Sequence, residues 1–186
     1  MPDLFIPSHG GYKKLISYPK AEIIYYGTVY FTKRFYFKGD RTIDQMVQAA
    51  RSGKQNIAEA SVASGTSKEF EIKLTNVARA SLEELLIDYR DFLKIRNYEE
   101  WNKDHLYVKR LRELNRQTPL TYDTFRRGIE NEDPAICANV LIGLIKVTTY
   151  LLGRQIQTLE QEFLKYGGLR ERMTKARIAS RGKQGY

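Results

Sequence analysis

Thr42-Ile43-Asp44-Gln45-Met46-Val47-Gln48-Ala49-Ala50-Arg51-Ser52-Gly53-Lys54-Gln55-Asn56-Ile57-Ala58-Glu59-Ala60 is the stretch on which the fold turns. Ile43, Met46/Val47, Ala50, Gly53, Ile57 and Ala60 recur at alternating steps of three and four, which lays them along one face of a helix. Alanine and glycine on that face let a neighbouring helix come close. Thr42 with Gln45 has the form of a capping box, and Phe37-Lys38-Gly39-Asp40 is a glycine-type stop for a preceding helix. A helix opening near residue 42, packed against neighbours, follows.

Downstream, Ser64-Gly65 ends this helix and Thr66 with Glu69 is a second capping-box pattern. Phe70, Leu74, Val77, Ser81, Leu85, Tyr89 and Phe92 then keep helical spacing to about Arg96, roughly 40 Å of helix. The short break predicts an antiparallel hairpin. Upstream, Ile23, Ile24, Gly27, Tyr30, Phe31 and Phe35 predict a helix from about Lys20 to Phe37, apolar over a wide arc. Residues 1–19, with three prolines and Gly10-Gly11, read as an extended arm. Residues 97–132 change character: Trp101, a basic amphipathic piece from about Asp104 to Arg116, Thr118-Pro119, and a segment from Thr121 to Ile129. Asp133-Pro134 supplies an N-cap and an N1 proline for a last long helix to about Tyr166, stopped by Gly167-Gly168. Residues 167–186 form a basic tail. No segment reads as a strand, so the expectation is all-α: an antiparallel up-and-down four-helix bundle over residues 20–166, with a long helical connection before its last helix.

The chain has 186 residues, of which 42% are hydrophobic and 28% charged, which excludes a disordered chain, a collagen-like chain and a coiled-coil rod. Lys146 interrupts the best candidate for a membrane span, and the N-terminus lacks a signal-like apolar run, so a cytoplasmic protein is expected. One cysteine, Cys137, and two histidines, His9 and His105, leave no internal disulfide and disfavour a Cys/His zinc site. The net charge is +9, and the tail holds Arg170, Arg172, Lys175, Arg177, Arg181 and Lys183 against the single acid Glu171. Positive potential of this kind attracts polyanions.

Catalytic signatures are lacking. Glu84, Asp88 and Asp91 share a helix face and are tested as a metal-binding or hydroxyl-activating cluster, but Arg90 and Lys94 make a solvated mixed-charge face the ordinary reading. No Glu-x-x-His pair is present for a di-iron bundle. His105 beside Asp104 reads as a surface or loop histidine, and Cys137 as core packing rather than a nucleophile. Gly65-Thr66-Ser67-Lys68 is a glycine turn at a helix start, not a phosphate loop. No enzyme activity, cofactor or metal is expected.

Residues 45–60 resemble the Gln-x-x-x-Ala-Ala-x-Ser-x-x-x-Asn-Ile-Ala-Glu-Gly pattern of the bacterial four-helix-bundle family that includes proteins encoded in intervening sequences of large-subunit ribosomal RNA genes, with Ala60 at the last position. The likeness continues through Ser67-Lys68-Glu69-Phe70, Leu74, Ala78 and Ala80-Ser81-Leu82-Glu83-Glu84-Leu85. Cys137-Ala138-Asn139, Leu141-Ile142-Gly143-Leu144-Ile145, Tyr150-Leu151-Leu152, Gln155, Leu159-Glu160 and 167–173 look like the four helix bundle suffix domain-containing variant. The family also includes the accessory variability protein of diversity-generating retroelements, a homopentameric barrel that associates with a reverse transcriptase and nucleic acid through basic surface. The resemblance implies a homopentamer, nucleic-acid binding and a reverse-transcriptase-like or other protein partner.

The residues alone also suggest assembly. The first and last long helices are apolar over more than one stripe, so an extra face is expected to meet another subunit, and a ring would pool the positive tails. Asn56 and Glu59 either pair with Arg79 or a neighbour's backbone at a subunit junction, or are an exposed Glu59 and a locally bonded Asn56. Trp101 and Tyr107, among Lys103, Lys109, Arg110 and Arg112, either stack bases while the cations hold phosphates or anchor the connection beside a wetted charged face. The leading expectation is a non-enzymatic oligomer binding RNA or DNA with little sequence readout, through Lys103, Lys109, Arg110, Arg112 and the tail cations. The alternative is an adaptor whose tail docks an acidic protein.

Overall fold

The structure, a computed structural model, describes residues 11–12 and 15–183; side chains of Arg172 and residues 179–183 lie outside that description. Most of the arm expected over 1–19, His9 included, therefore lies outside the described residues. The helices are α1 (Ser17–Phe35), α2 (Arg41–Ala63), α3 (Lys68–Ile95), α4 (Leu106–Leu114), α5 (Tyr122–Ile129), α6 (Pro134–Tyr166) and α7 (Leu169–Lys183). The described residues are all-helical, with no strand.

Local chemistry sets the ends. α1 starts ahead of Lys20 because Pro19 falls in the first turn, where a missing N–H costs no intrahelical bond. Asp40, not Thr42, caps α2, its Oδ1 accepting the Thr42 N–H at 2.8 Å. Ser67, not Thr66, caps α3 by accepting the Phe70 N–H at 3.2 Å. Both members of each pair suit the cap position, so sequence alone leaves a shift of one or two residues. Asp133 caps α6 and Pro134 opens it as expected, and Gly167, at φ 70°, ends it.

Each of α1 and α3 packs against both α2 and α6, an arrangement consistent with a helix bundle. Phe31, Met46, Ile57, Leu82, Leu85, Tyr89, Phe92, Leu141 and Leu144 fill the shared core. Close approach is what the small residues provide: a Cβ at Gly53 would sit 2.7 Å from a Leu82 methyl, and one at Gly27 2.6 Å from a Leu141 methyl. Leu141 and Ile129, which also bounds Gly27, are fully buried and have little room to yield. Gly27→Ala is expected to destabilise by about 1–3 kcal/mol through overpacking. Gly153→Ala, whose nearest neighbour is the Arg79 side chain at 3.7 Å, is expected to stabilise by about 0.5–1 kcal/mol through helix propensity. Urea denaturation of both variants checks the opposite signs.

The connection folds back over the bundle. α4 and α5 pack on α6, and α5 also reaches α1. Leu111 lies against Gly143, Val140 against Gly128, and the Cys137 thiol donates to the Ile129 carbonyl at 2.7 Å. Polar clamps hold this layer. Asn139 accepts the Trp101 N–H at 2.8 Å and donates to the Glu99 carbonyl at 2.9 Å. Buried Lys20 donates to the Asn115 side chain at 2.9 Å. The wide apolar arcs of the first and last long helices are thus covered in large part within the chain itself. Only Tyr26, Lys33 and Arg34 of α1 are exposed, and the N-terminal half of α6 is covered by the chain's own connection.

The basic tail expected over 167–186 is helical over 169–183, its start fixed by the Gly168 N–H donating to the Glu171 carboxylate. α7 makes at most marginal contact with the other helices. By length and composition the stretch Pro134–Glu171 is apolar enough to cross a membrane, and 56% of an apolar 18-residue run within it is buried inside the protein.

Candidate nucleic-acid interface

α4 turns Leu111 inward, so Lys109, Arg110 and Arg112 face solvent, as does Lys103 just before the helix. Arg110 pairs with Glu113 at 3.1 Å. Lys103, Lys109 and Arg112 have no carboxylate partner among the described residues. Arg170, Lys175 and Arg177 of α7 are also exposed, while the side chains of Arg172, Arg181 and Lys183 lie outside the described ones. The two sets lie on or just before different helices that make no substantial contact with each other. α4 sits beside Gly143, and α7 starts after Gly167, about 36 Å farther along α6.

Between them runs a trough that sequence reading did not find. Arg112, Lys146, Val147 and Tyr150 line a hollow of about 260 Å³ at the α4–α6 seam. Lys146 and Tyr150 also line the adjoining hollow of about 340 Å³, with Arg79, Glu83, Gly153 and Arg154. Its α6 members recur at helical steps from Lys146 to Arg154, a signal hidden because Lys146 reads first as a break in an apolar run. Tyr150 is 67% exposed, leaving its ring open to a flat partner. Glu100 ties Lys146 (2.5 Å) and Arg90 (3.0 Å) together. Burial pulls the Glu100 carboxyl upward, but hydrogen bonds from Lys146 and Arg90 outweigh it and hold the carboxyl below its ordinary value. Arg154 donates to the Gln157 side-chain carbonyl at 3.4 Å and has no carboxylate partner among the described residues.

The remaining candidates separate. Asn56 donates to the Ser52 carbonyl at 2.9 Å, Arg79 pairs with Glu83 at 2.9 Å, and Glu59 is exposed; within one chain, no Asn56 or Glu59 pairing to Arg79 forms. Glu59 instead lines an apolar groove with Ala58, Val62, Phe70 and Leu74. Among the described residues no three His, Cys, Asp or Glu side chains are placed to hold a metal ion. Glu84 and Asp91 are exposed, and half-buried Asp88 has its carboxyl raised by burial first and then by Asp91 and Glu84. Trp101 is half-buried, stacked on His105 at 4.7 Å and 5.1 Å from exposed Tyr107. His105 serves as the α4 N-cap, its Nδ1 accepting the Tyr107 N–H at 3.3 Å.

Cys137 lies fully buried, and burial pushes its thiol from 9.0 up to about 12. A thiol with a raised folded-state value keeps its proton in the folded state after the unfolded chain has lost it, so stability falls as pH rises from about 9 towards about 12. The expected slope from this group is up to about 1.4 kcal/mol per pH unit, absent in Cys137→Ala, measured as chemical denaturation against pH. At neutral pH a thiol reagent should label the protein only on unfolding.

No family model, curated protein or solved structure matches this chain. The basic seam of α3, α4 and α6, and the separate basic helix α7, carry the functional reading.

Proposed function

We propose that the chain is a non-enzymatic, up-and-down antiparallel four-helix bundle that assembles into a homo-oligomeric ring, with five copies as the resemblance implies, and binds RNA or DNA in the cytoplasm through distributed cations with little sequence readout. The observation that supports this most is the set of exposed cations with no carboxylate partner among the described residues, on α4 (Lys109, Arg112), in the trough (Arg154) and on α7 (Arg170, Lys175, Arg177). Unpaired guanidinium and ammonium groups lose little on meeting phosphates and release condensed counterions when they do. The groove beside Glu59, with Val62 and Phe70 each about half exposed, is the surface where copies would meet. In a ring the α7 helices add their attraction as avidity, and a nucleic-acid enzyme such as a reverse transcriptase is the protein partner that such a ring would serve.

Light scattering is expected to give a mass several times 21.7 kDa; a monomer removes the ring. Anisotropy titration of a labelled single strand tests binding. With about ten phosphate contacts the affinity should fall about 10,000-fold between about 50 and 200 mM salt. No binding at the lower salt ends the nucleic-acid reading. Co-purification with a protein, unaffected by nuclease, would then favour the acidic-partner adaptor.

A further inference from the structure

The connection and the start of α6 line an open cavity of about 430 Å³, on the other side of Leu111 from the trough, a residue that lines both. Leu111, Ile136 and Val140 form its apolar base, and Trp101 and Tyr107 bound it on one side. Arg110 and Arg127 also line it, and no acidic residue does. Arg110 is shared with Glu113, but exposed Arg127 has no carboxylate partner among the described residues. The polar clamps at Asn139 and Lys20 hold the 101–115 part of the lining, and the Cys137 thiol on the Ile129 carbonyl with Val140 against Gly128 holds the part around Arg127, so the cavity is pre-formed.

We propose that this cavity takes one unstacked nucleotide of a single-stranded nucleic acid: the base against the aromatic and apolar surface, its phosphate against Arg127 and Arg110. The inference rests on the nucleic-acid reading above and deepens it. The size lies within the range of small-ligand pockets. Aromatic surface beside cations matches the two halves of a nucleotide, a flat apolar face and an anion. A purely apolar side chain from a second copy would leave Arg127 without a counter-charge, and an acidic peptide would leave the apolar base unfilled. A base held in a duplex has its faces stacked and cannot enter, so single strands are preferred.

Trp101 is the single tryptophan of the chain, so its emission reports on this cavity alone. Oligothymidylate added to the full-length protein should change Trp101 emission in step with the anisotropy of the labelled strand, and a duplex of equal charge should leave it nearly unchanged. Tyr107→Ala, at an exposed position, should weaken oligothymidylate binding about tenfold or more. Arg127→Gln, also exposed, should make the salt slope shallower by about 0.7. Circular dichroism and thermal melts of both variants should match the parent. Oligothymidylate binding with unchanged Trp101 emission and unchanged affinity in Tyr107→Ala overturns this site and leaves the general reading standing. Failure of every nucleic acid to bind overturns that reading and this site together. An emission change driven by protein concentration alone means that a second copy fills the cavity, and overturns the nucleotide assignment.

Discussion

Phe31→Ala is expected to lower the free energy of unfolding by about 3–5 kcal/mol. Phe31 is fully buried on α1, where its ring meets Phe35 at 5.1 Å, Tyr89 at 4.9 Å and Phe92 at 4.7 Å. Two of these partners belong to α3, so the ring joins helices far apart in sequence. Its removal loses transfer energy and edge-on aromatic contacts and leaves a cavity that rigid neighbours cannot close. Two comparisons separate this cause from general sensitivity. Tyr89→Phe keeps the ring but loses the hydroxyl that donates to Thr28 at 3.0 Å, inside the same cluster, and should cost about 1–2 kcal/mol. Phe37→Ala, at a side chain 86% exposed, should stay within about 0.5 kcal/mol. Urea denaturation at one fixed protein concentration measures all three, and equal losses at Phe31 and Phe37 would contradict the packing assigned to α1.

Replacing Arg170, Arg172, Lys175, Arg177, Arg181 and Lys183 together with glutamine is expected to weaken single-strand binding by about 1000-fold or more in about 0.1 M salt. Each phosphate contact contributes about 0.7 to the slope of log affinity against log salt, so six lost contacts should make that slope shallower by about four. Glutamine keeps nearly the helix propensity of lysine and arginine, and α7 has little packing to disturb. The melting temperature should therefore hold while binding collapses. A double Arg112→Gln/Arg154→Gln variant in the trough should reduce the slope by only about 1.4. If the six-site variant binds like the parent, α7 has no part in holding a polyanion. If its slope falls by much less than the trough variant's, the trough carries the contact.

Several pieces of the fold were legible because they depend on near neighbours. The face from Ile43 to Ala60, the Asp133-Pro134 start and the Gly167 stop are local statements about period, capping and backbone freedom, and each stands in the structure. The α2 and α3 caps slipped by a residue or two because Asp40 competes with Thr42, and Ser67 with Thr66, for the same orphan amides. The site was less legible. Exposure of Lys109 and Arg112 follows from the amphipathic pattern around Leu111. The trough of Arg79, Lys146, Tyr150 and Arg154 required α3 and α6 to be side by side, and period alone cannot state that.

The sequence by itself determined helical content, the ends of the long helices within a turn, the small-residue face of α2 and the positive excess of the C-terminal segment, since propensity, capping and charge act over a few residues. Only the tertiary structure decided that α4 and α5 cover the second apolar stripe of α6, that Lys20 and Asn139 clamp them there, and that the cations divide between a seam and a separate helix. The physical reason is that burial is a property of pairs of surfaces: Leu111, Phe125 and Ile129 become core residues only where another helix removes them from water.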